Sequence, residues 1–566
     1  MQCCTPIERQ YNQKLMRNNS LYLLLPLATI FLIGSCKPYD VIIKDGTIYD
    51  GTGAASFQAD LGIKKDKIKA IGELDSQKAR DVIDAKNLAV SPGFINMLSW
   101  ANYSLLRDGR SMSDIKQGVT LEVFGEGSSM GPRKYKDRKE EREAEWRTLG
   151  EYLEHAEKKG VSANVASFVG ATTVRIHELG HEDRKPTVPE LARMQDLVRE
   201  AMREGAMGLG SSLIYPPAFF ADTDELVALA EAAAEYDGMY ISHLRSEGNA
   251  FLKAVDEFLE IADRARIDAE IYHLKAAGEN NWHKLELALE KIDSARAAGL
   301  NVATNMYTYP AASTGLDACL PPWVQEGGKE EYLRRLKDPE TCAEIIEQVK
   351  TPSDDWENFY LMSGKPENIL LVGFDQDSLK YLTTKNLGEI AEARNQDPVE
   401  TIIDLIVAND GDIQTVFFLM SEENVRKKVR LPYMSFGSDA GSIAAEGKVL
   451  EDHTHPRAYG TFTRVLGKYV RDEGLLSLED AIYKMSYLAA QKLKIKERGK
   501  LEPGYYADVV IFDPATVADR ATFEKPHQYS EGIIHVFVNG EAVIKDGDHT
   551  GATPGRFVKG PGYRMK

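Results

Sequence analysis

Three apolar runs of this chain each give way to a polar residue that could do chemistry. They are Tyr240-Ile241-Ser242-His243-Leu244-Arg245, Ile271-Tyr272-His273-Leu274-Lys275 and Gly437-Ser438-Asp439-Ala440. A single histidine in a strand is more often a hydrogen-bonded core residue. Two at one level of neighbouring strands, about 4.8 Å apart, bring both imidazoles to a single divalent ion. An aspartate beside them can take a proton from water at that ion. Two further runs end in Gly125-Glu126-Gly127 and Asn305-Met306-Tyr307-Thr308-Tyr309, adding a carboxylate and phenol groups.

Such residues need strands to present them at one end of a sheet. Eight β-rich runs, each followed by helical periodicity, cover Pro92–Leu98, Thr120–Gly127, Asn164–Gly170, Gly208–Tyr215, Met239–Arg245, Asp268–Lys275, Asn301–Tyr309 and Tyr433–Ala440. Their near-continuous apolar character suits strands covered on both faces. The alternation predicts an α/β fold, a (β/α)8 TIM barrel, whose working residues stand at the C-terminal strand ends. Between the strands, Thr187 with Glu190 and Pro189 predicts a capping box ahead of an apolar face at Leu191, Met194, Val198 and Ala201. Asp222 with Glu225 repeats the device, and Gly238 marks a helix stop. Barrel strands 1–7 then occupy residues 91–316, and the eighth strand with closing helices 430–497. The stretch between, residues 317–429, is too long for a loop and predicts an inserted α/β lobe with strands at Ile369–Val372 and Thr415–Met420.

Short alternating strands with glycine turns mark both ends: Tyr39–Lys44, Thr47–Tyr49, Leu61–Lys64 and Lys67–Ile71, then Asp508–Phe512 and Ile534–Ile544 around an Asn539-Gly540 turn. Residues 37–90 and 498–566 therefore predict one small β-sandwich built from both termini. A formal charge of −18 with no basic stripe argues against a nucleic-acid partner. Residues 1–36 read as an export signal, with Lys14 and Arg17 ahead of the apolar Leu21–Ile33. Met16–Ser35 alone has the proportions of such a signal. Ile33-Gly34-Ser35-Cys36 resembles a bacterial lipobox, so the expectation is an exported lipoprotein, periplasmic or at the outer membrane or cell surface, anchored through Cys36. Cys319 and Cys342 lack metal-site spacing, and whether they pair is left open.

Longer motifs accompany the single residues. They include Pro92-Gly93-Phe94-Ile95, Ser211-Ser212-Leu213-Ile214-Tyr215-Pro216-Pro217, Ser242-His243-Leu244-Arg245-Ser246-Glu247-Gly248 and His273-Leu274-Lys275-Ala276-Ala277-Gly278. Ala312-Ser313-Thr314-Gly315-Leu316, Gly437-Ser438-Asp439, Gly504-Tyr505-Tyr506-Ala507-Asp508 and Val538-Asn539-Gly540 follow in order. Together they resemble the D-aminoacylase (N-acyl-D-amino-acid deacylase) family of the amidohydrolase superfamily, from Tyr39 to Gly562. The resemblance implies a barrel with a terminal β-sandwich and an inserted lobe. It also implies metal-dependent hydrolysis of N-acyl-D-amino acids, or of related N-acylated amino acids and dipeptides, with one divalent metal, zinc foremost. In its terms His243 and His273 ligate, Asp439 is the base, and Lys275, Tyr307 and Ser313 bind the free carboxylate of a small-molecule substrate. Arg457 is a further contact, since a guanidinium grips a carboxylate through two hydrogen bonds.

The chain departs from the family at two strands. The family's first-strand His-x-His pair reads Leu98-Ser99-Trp100 here, with Asn96 and Asn102 replacing flanking acids. Leucine and tryptophan cannot ligate a divalent ion, so one of the two usual metal sites is lost. The second strand's usual cysteine is replaced within Gly125-Glu126-Gly127-Ser128. Two readings of Glu126 follow: a carboxylate ligand completing a His₂Glu set, or an ion-pair partner of Arg175 or Lys275. Two other functions fit the same pocket, a different amidohydrolase (dipeptidase or cyclic-amide hydrolase) and a non-catalytic binding protein.

Overall fold

The computed structural model describes residues 37–135 and 138–564. The export and lipidation signals of residues 1–36 lie outside it. None of the helices among the described residues is long and apolar enough to cross a membrane.

The eight apolar runs become parallel barrel strands: Phe94–Asn96, Val119–Phe124, Asn164–Ser167 continuing at Val169–Gly170, Gly208–Ser212, Met239–His243, Asp268–Ile271, Val302–Met306 and Met434–Phe436. The third strand breaks at Phe168, pairing with the second strand before the break and the fourth after it. The ring closes between the eighth and first strands, where Met97 N donates to Phe436 O (3.1 Å) and Asp439 N to Leu98 O (2.8 Å). Ile95, Val123, Ala166, Phe168, Ile241 and Tyr272 fill the interior. The alternate residues, such as Tyr240 and Ile271, pack outward into a larger core under the helices.

The helices follow their sequence signals in part, and Thr223–Ala234 ends ahead of the expected stop at Gly238, with Glu235 as its C-cap. Helix Val188–Glu204 starts in a reciprocal capping box of Thr187 and Glu190, buries Met194, Val198 and Ala201, and ends at Gly205 in the left-handed region. At Thr223–Ala234 only half of the expected box forms. Asp222 caps the Glu225 N–H, but the Glu225 side chain is drawn 2.5 Å from Arg175 in a fully buried ion pair. A buried guanidinium outbids a helix cap, because leaving it unpaired costs more.

Both chain ends contribute to one nine-stranded sheet, in which Val509–Phe512 joins Ala89–Pro92 antiparallel. Its faces share a core of Ile43, Leu61, Ile68, Val90, Val509 and Phe537. Tyr39–Ile48 is one bulged strand rather than two, and Ala79–Asp84 and Ala89–Pro92 are strands not expected from the sequence. Asn539 and Gly540 both have positive φ (49° and 79°), the two-residue hairpin turn their types predict.

The inserted lobe begins earlier than expected. Strand Ala312–Gly315, assigned to the barrel segment from sequence, pairs with Gln414–Phe417, which in turn pairs with Ile369–Gly373. At the far boundary, helix Glu422–Val429 buries Val425 and Val429 in the barrel core. The lobe's own core gathers Leu316, Cys319, Ile345, Ile369 and Phe417. Cys319 and Cys342 are both free thiols.

Candidate metal centre

All eight residues singled out from sequence line one cavity of about 500 Å³ at the C-terminal end of the barrel. Their arrival there is not a matter of simple alternation. Ser242 pairs in register with Ile271, so the strand position opposite His243 belongs to the inward-facing Tyr272. His273 comes one residue later and would point outward if the strand continued. Instead its φ is +32°, and this left-handed break turns the ring back to 4.4 Å from that of His243. Asn305 on the seventh strand holds the break: its Oδ1 accepts the His273 N–H at 2.8 Å, while its Nδ2 donates to buried Glu270. The expected equal level of the two histidines is therefore an offset of one, corrected by the backbone.

Glu126 and Asp439 reach the cavity by the same device. Gly125, ahead of Glu126, has φ +107°, and a Cβ there would meet Phe168 O at 2.4 Å. Asp439 itself has φ +51° and is pinned by its N–H to Leu98 O. Non-glycine residues held in this region cost about 1–3 kcal/mol and persist where surrounding contacts fix them.

Glu126 Oε1 lies 3.1 Å from His243 Nδ1 and 2.8 Å from His273 Nε2. The three ligand atoms fall within 4.8 Å of one another, and all three residues are buried. Neither alternative ion-pair partner reaches Glu126, since Arg175 is paired with Glu225 and Lys275 with Glu247 (2.6 Å). Burial opposes ionisation of Glu126, yet the imidazoles of His273 and His243 hold its carboxyl well below the usual range. Burial and the Lys275 charge act to lower the pKa of His273, but Glu247 and Glu126 outweigh them and raise it to about 9. Burial keeps His243 below its ordinary value. The pocket thus draws positive charge to the point where Nδ1, Nε2 and Oε1 meet. A divalent cation bound by two neutral imidazoles and a carboxylate answers that demand, so the residues fit a metal.

Behind the imidazoles stands Glu247, a member of the Ser242–Gly248 motif whose role the sequence does not disclose. Its Oε1 is 3.1 Å from His273 Nδ1, and its Oε2 is 3.6 Å from His243 Nε2, a buried nitrogen with no hydrogen-bond partner among the described residues. A carboxylate behind metal-ligating histidines fixes their orientation. Glu247 lies beyond the strand end, four residues after His243, where no periodic pattern distinguishes it.

Lys275 is buried, with Nζ 2.6 Å from Glu247 Oε1 and 2.7 Å from His273 Nδ1. Its ammonium sits 5.7 Å from the Tyr307 ring, and the Arg457 guanidinium stacks 4.6 Å from the same ring. Arg457 Nη1 lies 2.6 Å from Asp439 Oδ2, its Nη2 donates to Ser313 O, and its buried Nε has no hydrogen-bond partner among the described residues. Burial pushes the Asp439 carboxyl up, against the pull of Arg457. Ser313 is half-buried, its hydroxyl donating to Thr415 O at 2.9 Å. Trp100 also faces the carboxylates, its indole N–H 3.1 Å from both Glu126 Oε2 and Asp439 Oδ1.

Comparison with known proteins agrees with this architecture. The Amidohydrolase family matches residues 434–544. The chain is 31% identical to a D-aminoacylase of Alcaligenes xylosoxydans xylosoxydans, across 92% of this chain and 98% of that one. It is 32% identical to an N-acyl-D-aspartate deacylase of the same organism, across 92% and 95%. The crystal structure of N-acyl-D-glutamate deacylase from Bordetella bronchiseptica, complexed with zinc and a phosphonate inhibitor, superposes with a TM-score of 0.76 at 30% identity, covering 92% of this chain and 99% of that one. With its barrel, its terminal sheet and its inserted lobe, this chain belongs to the D-aminoacylase family of amidohydrolases.

Proposed function

We propose that this protein is a metal-dependent hydrolase that cleaves the amide bond of N-acyl-D-amino acids, or related N-acylated amino acids, to a carboxylate and a free amino acid. The observation that carries the reading is the convergence of His243 Nδ1 and His273 Nε2 on Glu126 Oε1, in a cavity shared with Asp439. The names of its relatives support the substrate class and its D configuration. A divalent ion, zinc foremost, would be held by His243, His273 and Glu126 and would supply Lewis acidity toward the amide carbonyl and the attacking water.

The chain's own residues do the rest. Lys275, Tyr307 and Arg457, with Ser313 on the adjoining wall, receive the substrate's free carboxylate, and the unpartnered Arg457 Nε is a donor left for it. Asp439 accepts the proton of the attacking water and delivers it to the leaving nitrogen. Arg457, with Nη1 at 2.6 Å from Asp439 Oδ2, favours the ionised form of that carboxylate while burial opposes it.

The test is a hydrolysis screen over D and L N-acyl amino acids, their carboxylate esters and cyclic amides, run on the wild type and Asp439→Asn. Free D acids should be hydrolysed, and the variant should lose roughly 10²–10⁴-fold in kcat at unchanged metal content. Asparagine tolerates the left-handed backbone of position 439, so the variant isolates the carboxylate. Near-normal turnover by Asp439→Asn would remove the base from the scheme, and a preference for esters or cyclic amides would remove the substrate class. We also propose that the enzyme is exported and lipid-anchored at Cys36, a reading supported by the leader pattern alone.

A further inference from the structure

The half-exposed Trp100 is tied into the site more firmly than a surface aromatic would be. Its backbone N–H donates to Ala440 O at 2.9 Å, next to Asp439, and Ser99 bridges to the same residue. This fixes the end of the first strand against the end of the eighth. The indole N–H then divides between two acceptors, Glu126 Oε2 and Asp439 Oδ1, each at 3.1 Å. Two carboxylates that converge on one N–H repel one another when both are ionised. A neutral donor therefore stands between two anions, where an electrostatic argument would place a cation. On the strand floor below, Leu98 is fully buried, and a Cβ on Gly437 would meet its Cβ at 2.8 Å.

We propose that Trp100 is a positioning residue that does the work of a second cation. Its N–H holds Glu126 with Oε1 turned to the two histidines and Asp439 with Oδ1 turned to the cavity. Because it occupies the lone pairs that face each other, it also closes the centre to a second metal ion. This rests on the metal-dependent reading above and adds to it. Single-metal stoichiometry becomes a property built into the first strand, and excess metal neither fills nor inhibits the site.

The experiment uses the full chain with zinc as the probe. Bound zinc is quantified after dialysis, zinc affinity is measured by chelator competition without substrate, and kcat and KM are then measured on an N-acyl-D-amino acid. Wild type should bind one equivalent and keep its kcat in excess zinc. Trp100→Phe preserves the ring and removes the N–H; it should keep its thermal midpoint and lose about tenfold to a hundredfold in zinc affinity, with a lower kcat at similar KM. Trp100→Gln, which retains an N–H donor, should recover part of both losses. The pair Leu98→His with Trp100→His places two imidazoles beside the carboxylates and should gain a second equivalent. Wild-type zinc affinity and kcat in Trp100→Phe would overturn the proposal, as would two equivalents bound by the wild type. Weakened zinc binding by Trp100→Phe in a protein that hydrolyses no N-acyl amino acid would instead leave Trp100's role standing and remove the deacylase reading.

Discussion

At the scale of residues, the centre depends on backbone breaks more than on side-chain spacing. His273 and Asp439 adopt positive φ themselves, and Glu126 follows Gly125, which does. Strand alternation would send His273 outward, so the sequence identifies the candidate ligand types but not the geometry that assembles them. Glu247 shows the same limit from the other side: its value comes from standing behind both imidazoles, which only the folded loop reveals. Glu126 is where the two sequence readings divided, and its contacts with both histidines favour the ligand reading. Glu126→Ala is accordingly expected to lower bound metal well below one ion per chain, whereas Asp439→Asn keeps it. Elemental analysis of the two dialysed variants checks this, and full occupancy in Glu126→Ala would return the residue to a structural role.

At the scale of elements, the eight strands and the helix caps were legible because burial on both faces and cap chemistry leave direct marks in the sequence. The lobe boundary was not. Ala312–Gly315 follows the seventh barrel strand so closely that only its pairing with Gln414–Phe417 assigns it to the lobe. The lobe is also coupled to the barrel by Glu357, whose two carboxylate oxygens accept the Glu247 N–H at 3.2 and 3.1 Å. Burial pushes the Glu357 carboxyl from 4.5 up to about 7. Between those values the folded chain retains a proton that the unfolded chain has released, so stability falls as pH rises through the window. The ceiling on that loss is about 3.5 kcal/mol, since a tenfold change in proton affinity is worth about 1.4 kcal/mol. Glu357→Gln should flatten the decline. Denaturant midpoints at pH 5 and pH 7.5 compare the two proteins, and parallel slopes would dismiss the coupling.

At the scale of the whole molecule, the two chain ends share one sheet, and the tail returns to the barrel where Val165 N donates to Arg556 O and Val558 N to Val165 O. The sequence showed most of the strands of both ends but not this last attachment, a short stretch that buries Phe557 and Val558. The proposed anchor precedes that sheet. Full-length protein made in a bacterial host should partition with membranes and incorporate labelled fatty acid, while Cys36→Ser should be released to the soluble fraction. Equal partitioning of the two would discard lipidation at Cys36.

The lobe strand Ala312–Gly315 places Ser313 in the wall of the cavity, and the lobe's core runs on into Ile214, Ala277, Tyr307 and Tyr309 at the C-terminal end of the barrel. Barrel and lobe therefore share the wall of one cavity, with Lys275, Tyr307 and Arg457 on the barrel side and Ser313 on the lobe side. A mutation that repacks the lobe is therefore felt at the centre as well, through Tyr307 and through the contact of Glu357 with Glu247, so the wall and the machinery change together.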